Sequence, residues 1–243
     1  MAPWKKHGRI FAFGDIHGCP DELGAMLKAI DLGSGDTAIF IGDYVDRGPS
    51  ARDVIDILID VKANHPGSVF LKGNHEDMML AYLGLPGHYG ESFLFNGGFA
   101  TLQSYEIDEL DIVGETANDE IMGRLPASHL DFLQNLETSH LRPPYLFVHA
   151  GVHPLRELED QDDEDMLWIR QEFIANPHGL GHTVVFGHTP VRDVLIDLPY
   201  KVGLDTGLVY GGKLSCLEFT ESRCFQVGRG SLKVSSRHLR ALR

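Results

Sequence analysis

The sequence predicts an α/β fold with two β-sheets. Three observations carry that reading. Short apolar runs alternate with helical patterns in the first part of the chain, strand signals return in its second half, and polar residues of metal-binding type stand directly after the strands. With 243 residues, 43% of them hydrophobic and 23% charged, the chain has the size and apolar content of a single globular domain, taken as residues 1–243.

Arg9 to Phe13 reads as a strand, Pro20 to Ile30 as a helix, Thr37 to Ile41 as a strand, Ser50 to Ala63 as a capped helix and Ser68 to Leu71 as a strand. Pro20 suits the first helical turn, where no N–H partner is needed, and Asp21 and Glu22 behind it favour the same end of the helix. Ser50 is an N-cap type ahead of Ala51. Residues 77–144 read as a helical and irregular insertion covering the site, with a Gly-rich stretch at Leu83 to Gly98 and a helix at Pro126 to Leu136. Strands resume at Tyr145 to Val148, Thr183 to Phe186 and Val202 to Leu204, and Lys213 to Phe219 with Arg223 to Val227 form a hairpin. The basic end, Arg237 to Arg243, reads as a helical or frayed tail.

Net charge is −14, from 21 Lys and Arg against 35 Asp and Glu, so most of the surface repels a nucleic-acid backbone and no nucleic-acid partner is expected. An anionic substrate would have to be drawn in by local cations. Cys19, Cys216 and Cys224 form no C-x-x-C pair and leave an odd thiol, which fits a reducing compartment and predicts a cytoplasmic address. Met1 to Phe13 lacks a signal-peptide pattern, and no apolar run reaches the ~18 residues of a membrane span. No membrane partner is expected, and the oligomeric state is left open.

The strands share one feature. Phe11 to Phe13 runs into Asp15 and His17, Ala38 to Ile41 into Asp43, Val69 to Leu71 into Asn74, Tyr145 to Val148 into His149, and Val184 to Phe186 into His188. Ligands of open α/β sheets bind beyond the carboxyl ends of the strands, so these side chains converge on one crevice. One such residue alone is most simply a turn or cap, but the same pattern at five strand ends is not. Carboxylate, imidazole and amide without thiolate predict two divalent ions, Mn²⁺ first with Fe or Zn²⁺ as alternatives, and Asp43 as the bridging carboxylate. Gly33-Ser34-Gly35-Asp36-Thr37-Ala38 matches a dinucleotide-binding string but precedes a strand, so it reads as a turn.

Gly14-Asp15-Ile16-His17-Gly18, Gly42-Asp43-Tyr44-Val45-Asp46-Arg47-Gly48-Pro49, Gly73-Asn74-His75-Glu76, His149-Ala150-Gly151 and Gly187-His188-Thr189-Pro190 together resemble the calcineurin-like metallophosphoesterases. More narrowly, they are similar to a compact bacterial form of the PPP-type serine/threonine protein phosphatases. The resemblance implies a four-layer sandwich of two packed mixed β-sheets flanked by helices. It implies that Asp15, His17 and Asp43 hold one metal and Asp43, Asn74, His149 and His188 the other. It also implies that Asp46 and His75 form the acid pair, and that Arg47 and Arg170 grip the substrate phosphate.

On that basis a metal-bridged hydroxide attacks phosphorus in line and His75 protonates the departing oxygen. Lys72 departs from the arginine common before Gly-Asn-His-Glu and cannot make a two-pronged phosphate contact. Asp46 favours a phosphoserine or phosphothreonine substrate in proteins, because symmetrical bacterial tetraphosphatases tend to carry a non-acidic residue there. The alternative is a hydrolase of dinucleoside polyphosphates such as diadenosine tetraphosphate. A non-catalytic binding module is disfavoured, since every proposed ligand and the Asp46 and His75 pair are present.

Overall fold

A computed structural model describes residues 8–108, 110, 112 and 117–239. β1 (Ile10–Phe13), α1 (Pro20–Ile30), β2 (Thr37–Phe40), α2 (Ala51–Asn64) and β3 (Val69–Phe70) follow one another as predicted, and α3 (Asn74–Tyr82), which the sequence reading did not delimit, comes next. Pro20 sits in the first turn of α1, and the Ser50 hydroxyl caps α2 by accepting the Asp53 amide. Then come α4 (Gly98–Ser104), α5 (Ala117–Arg124), α6 (Ala127–Gln134), β4 (Ser139–Arg142) and β5 (Tyr145–Val148). α7 (Asp163–Trp168), α8 (Gln171–Ala175), β6 (Thr183–Phe186), β7 (Leu195–Asp197), β8 (Lys201–Gly203), β9 (Lys213–Glu218), β10 (Arg223–Gly228) and β11 (Ser235–His238) complete the chain.

Two mixed sheets result. One runs β11-β10-β9-β1-β2-β3, with β1, β2 and β3 parallel and β9 antiparallel to β1; the other runs β4-β5-β6-β8-β7, with β5, β6 and β8 parallel. Alternation along the strands explains how they stack, because successive side chains point to opposite faces. Ile10 and Ala12 of β1 and Ile39 of β2 pack with Phe147, Val185 and Val202 of the second sheet. Phe11, Phe13, Ala38 and Phe40 face the other way, onto α1 and α2. Leu146, Val148, Val184 and Phe186 cover the outer face of the second sheet with Met166 and Phe173 of α7 and α8. The order is helices, sheet, sheet, helices, and each layer is placed by a period-two pattern of buried side chains.

The structure departs from the sequence reading at three sheet edges. Ser139–Arg142 falls within the stretch expected to be helical or irregular, yet it pairs antiparallel with β5. Leu195–Asp197 pairs with β8, and Ser235–His238 pairs with β10, its last two residues lying where a helical or frayed tail, Arg237 to Arg243, was expected; residues 240–243 of that tail lie outside the described residues. Edge strands bury little side-chain surface and carry polar groups, so their sequences show no apolar alternation. β11 is exposed at all four positions. Cys19, Cys216 and Cys224 are buried free thiols. Among the described residues, no helix is long and apolar enough to cross a membrane.

The dinucleotide-like string is the turn that joins α1 to β2. Asp36 accepts the amides of Gly33 and Arg9 and pairs with the Arg9 guanidinium at 2.6 Å, tying the turn to the start of β1. Burial works to raise the Asp36 carboxyl, but Arg9 and these amides outweigh it and hold it below its ordinary value. A depressed carboxyl contributes stability that is present above its unfolded pKa of about 3.9 and is lost as pH falls through the folded value. Asp36→Asn is expected to lower stability by about 1 kcal/mol near neutral pH, a figure kept small because Arg9 is 42% exposed. Urea unfolding of both proteins should show the gap closing as pH falls from about 3.9 through the depressed folded-state value.

Candidate functional site

Asp15 and His17 follow β1, Asp43 follows β2, Asn74 opens α3 just after β3, His149 follows β5 and His188 follows β6. The structure brings all six together. His17 Nε2 lies 3.4 Å from Asp43 Oδ2 and His149 Nε2 lies 3.3 Å from Asp43 Oδ1. Asn74 Oδ1 is 3.0 Å from His149 Nε2 and 2.9 Å from His188 Nδ1, and the His188 amide donates to Asp15 Oδ2 at 3.0 Å. All six residues are buried. Close backbone approach makes this packing possible: a Cβ on Gly73 would stand 2.2 Å from Asp43 Oδ1, and one on Gly187 would stand 2.1 Å from Asp15 Oδ1.

The donor set fits divalent cations on electrostatic grounds. His17 Nδ1 is 2.8 Å from the Val45 carbonyl and His149 Nδ1 is 2.8 Å from the Ile41 carbonyl. A carbonyl only accepts, so both Nδ1 atoms carry protons and both Nε2 atoms keep their lone pairs. The His149 lone pair faces the Asp43 carboxylate, an arrangement that repels unless positive charge lies between, while the His17 lone pair also lies within reach of the Arg47 guanidinium. Burial lowers His17 to about 3 and His188 to about 2, so both rings are neutral donors. Burial, then the neighbouring Asp205 and Asp43 carboxylates, raise the Asp15 carboxyl. Asp15 Oδ1 and His188 Nε2 are buried and have no hydrogen-bond partner. Two ligand groups arise, His17 with Asp43 and His75, and Asp43 with His149 and His188, each with its donor atoms within 4.8 Å of one another. Asp43 belongs to both, which is the placement a bridging carboxylate requires.

Beside this cradle His75 Nδ1 stands 2.5 Å from Asp46 Oδ2. Burial works to lower the His75 pKa, but Asp43 and the bonded Asp46 outweigh it and raise it above the ordinary value. Arg47 Nη1 reaches to 2.8 Å from His17 Nε2, and the Arg47 amide donates to the Gly97 carbonyl. Arg170 stands at the margin, where its guanidinium donates to the His188 carbonyl at 3.1 Å. Lys72 turns away from the centre to pair with buried Asp77 at 2.8 Å, so its charge serves the base of α3.

Three residues of the site had no role in the sequence reading. Glu76 is fully buried, and its two oxygens accept the amides of Asp43, Tyr44, Val45 and Gly73 at 2.7 to 3.1 Å. Its signal was present, since a Glu at the third position of a helix commonly returns to the capping amide. Burial pushes its carboxyl up to about 7, while the amides pull toward the charged form. Asp205 follows β8 as the other acids follow their strands, and it accepts the Gly207 amide at 2.9 Å. Thr101 of α4 donates to Asp46 Oδ1 at 2.7 Å and accepts the Asp46 amide at 2.8 Å. No local pattern announces that last contact.

His17, Asp43, Asp46, Arg47 and His188 all have left-handed φ, from 44° to 70°. Such non-glycine conformations cost ~1–3 kcal/mol each and persist only where the surroundings dictate them.

Two sheets whose strand ends gather carboxylates and imidazoles around a shared aspartate define a metal-dependent hydrolase of phosphate esters. The chain belongs to the calcineurin-like phosphoesterase family, whose model matches residues 8–220. It is 26% identical to the asymmetrical bis(5'-nucleosyl)-tetraphosphatase PrpE of Halalkalibacterium halodurans, over 86% of this chain and 89% of that one. It is also 26% identical to the symmetrical bis(5'-nucleosyl)-tetraphosphatase of Janthinobacterium sp., over 89% of this chain and 95% of that one. A serine/threonine protein phosphatase from Saccharomyces cerevisiae shares the fold with a TM-score of 0.57 at 15% identity, over 98% of this chain and 82% of that one.

Glu76→Gln is expected to cost about 2 to 5 kcal/mol, because an amide nitrogen cannot accept and two buried N–H groups lose their partner. Urea unfolding measures this; an unchanged midpoint would show that the four amides do not need the carboxylate.

Proposed function

We propose that the chain hydrolyses dinucleoside polyphosphates, with diadenosine tetraphosphate as the representative substrate. The observation that carries this reading is the near full-length similarity to bis(5'-nucleosyl)-tetraphosphatases. It displaces the phosphoserine and phosphothreonine substrate that Asp46 favoured from sequence. Asp46 bears only on the symmetrical tetraphosphatases and is silent about the asymmetrical ones. Likeness to the yeast protein phosphatase at 15% identity supports the fold alone.

In this reading Asp15, His17 and Asp43 hold one divalent ion and Asp43, Asn74, His149 and His188 the other, with Mn²⁺ the first choice and Fe or Zn²⁺ the alternatives. When bound, the two ions supply a nucleophile from water at neutral pH and offset charge on the phosphoryl oxygens. The chain's own groups do the rest. Arg47, beside His17, orients the attacked phosphate, and Arg170 approaches it from the His188 side. His75 gives its Nε2 proton to the departing oxygen, while Asp46 fixes the ring through Nδ1 and favours its charged form. The described stretch from Tyr89 to Thr101 supplies the cover: Thr101 holds Asp46, Gly97 holds Arg47, and Tyr89 packs on Trp168 at 5.2 Å while bonding Glu164.

The substrate is tested by comparing diadenosine tetraphosphate with a phosphothreonine peptide at equal concentration, with and without Mn²⁺. The tetraphosphate should turn over faster, and a chelator should abolish both activities. Product analysis separates ATP plus AMP from two ADP. Preferential hydrolysis of the peptide would overturn the reading. The acid role has its own test. His75→Asn should lower kcat for an alkyl phosphate by about 10² to 10⁴-fold, and less for p-nitrophenyl phosphate or the tetraphosphate, whose leaving groups need the proton less. An equal loss on all three would remove the acid assignment.

A further inference from the structure

A cavity of about 430 Å³ opens beside the cradle, lined by Arg47, Gly48, Pro49, Gln103, Ser104 and Arg229 among others. Arg47 joins it to the reaction centre, since its guanidinium stands 2.8 Å from His17 Nε2. Arg229 comes from the far end of the chain, just past β10. Its amide donates to the Gly212 carbonyl at 3.0 Å, and its Nη1 donates to Glu22 Oε1 at 2.8 Å. Glu22 is fully buried in α1 and also accepts the Gly230 amide at 2.6 Å, whereas the Arg229 side chain is 33% exposed. The guanidinium is therefore held at the cavity wall through one donor, and a fork of five N–H groups retains others for a ligand.

An arginine pinned by a buried glutamate is often only a structural pair. Its place distinguishes this one. On a chain of net charge −14, Arg47 and Arg229 line one cleft that begins at the proposed point of attack. A phosphate monoester presents one anionic group, which the cradle, Arg47 and Arg170 suffice to hold. A polyphosphate ester carries further anionic phosphates that must lie along a neighbouring wall, and positive charge concentrated in a cleft favours them there.

We propose that this cleft is the subsite for the phosphates beyond the one attacked, and that Arg229 sets the preference for polyphosphate esters over monoesters. This deepens the tetraphosphatase reading and rests on it. The measurement is kcat/KM for diadenosine tetraphosphate and for p-nitrophenyl phosphate in the wild type, Arg229→Gln and Arg229→Lys. The ratio of the two values should fall about 10- to 100-fold in Arg229→Gln, the range for one charge-assisted hydrogen bond, and the loss should lie in KM. Arg229→Lys should recover part of it, because lysine keeps the charge and lacks the fork. An unchanged ratio, or equal loss on both substrates, overturns the proposal and leaves Arg229 a structural partner of Glu22.

If the wild type does not cleave the tetraphosphate, the substrate reading fails by itself and the cleft is judged separately. Inorganic tripolyphosphate must then inhibit p-nitrophenyl phosphate turnover more strongly than orthophosphate does, with free Mn²⁺ held saturating. That advantage must shrink in Arg229→Gln, and equal inhibition by the two anions would reject the subsite.

Discussion

The site rests on one buried carboxylate. Glu76 collects four backbone amides from two loops that have no ladder to pair with, the turn after β2 and the entry to α3. Each amide left unpaired at that depth would carry a desolvation penalty of ~1–3 kcal/mol, so the glutamate makes an otherwise costly turn tolerable. Within that turn Asp43, Asp46 and Arg47 hold left-handed φ values, and the side chains that face the cradle are aimed by them. Tyr44, between these residues, is fully buried and donates its hydroxyl toward the Phe40 and Leu71 carbonyls, which fastens the turn to the ends of β2 and β3.

The cradle concentrates charge that would be unstable without that scaffold. Asp15, Asp43 and Asp205 are all buried, and burial with mutual repulsion raises Asp15. Around them neutral imidazoles are fixed by backbone carbonyls, with ring nitrogens directed at the central aspartate. The protein has invested its folding energy in pre-arranging acceptors, which favours binding cations over neutral ligands.

Much of this was legible from residues alone. The strands Tyr145–Val148 and Thr183–Phe186 begin and end where apolar runs begin and end, because both of their faces are largely buried, and α1 begins at the Pro20 that marks its first turn. The six convergent side chains were legible because each follows such a strand. The edge strands were not, since Ser139–Arg142 and Ser235–His238 carry mostly polar side chains and show no apolar alternation to announce their pairing. Asp205 went unassigned although it stands after β8, and Thr101 went unassigned because its partner is 55 residues away in sequence. Substrate preference lay beyond strand patterns because specificity is commonly carried by loops and side chains brought from distant segments; Arg229, at the proposed subsite and paired with a residue 207 positions earlier, is such a side chain.

The Thr101 contact has a consequence for how this architecture can vary. One hydroxyl on α4 serves both the amide and the carboxylate of Asp46, and Asp46 in turn sets the His75 ring. α4 is thus mechanically geared to His75, the proposed proton donor, and a slip of α4 by a single hydrogen-bond length would be transmitted to that ring. A descendant that shortened or replaced this segment would have to find another hydroxyl for the same oxygen, or else leave a buried acceptor unmatched at a cost of ~1–3 kcal/mol.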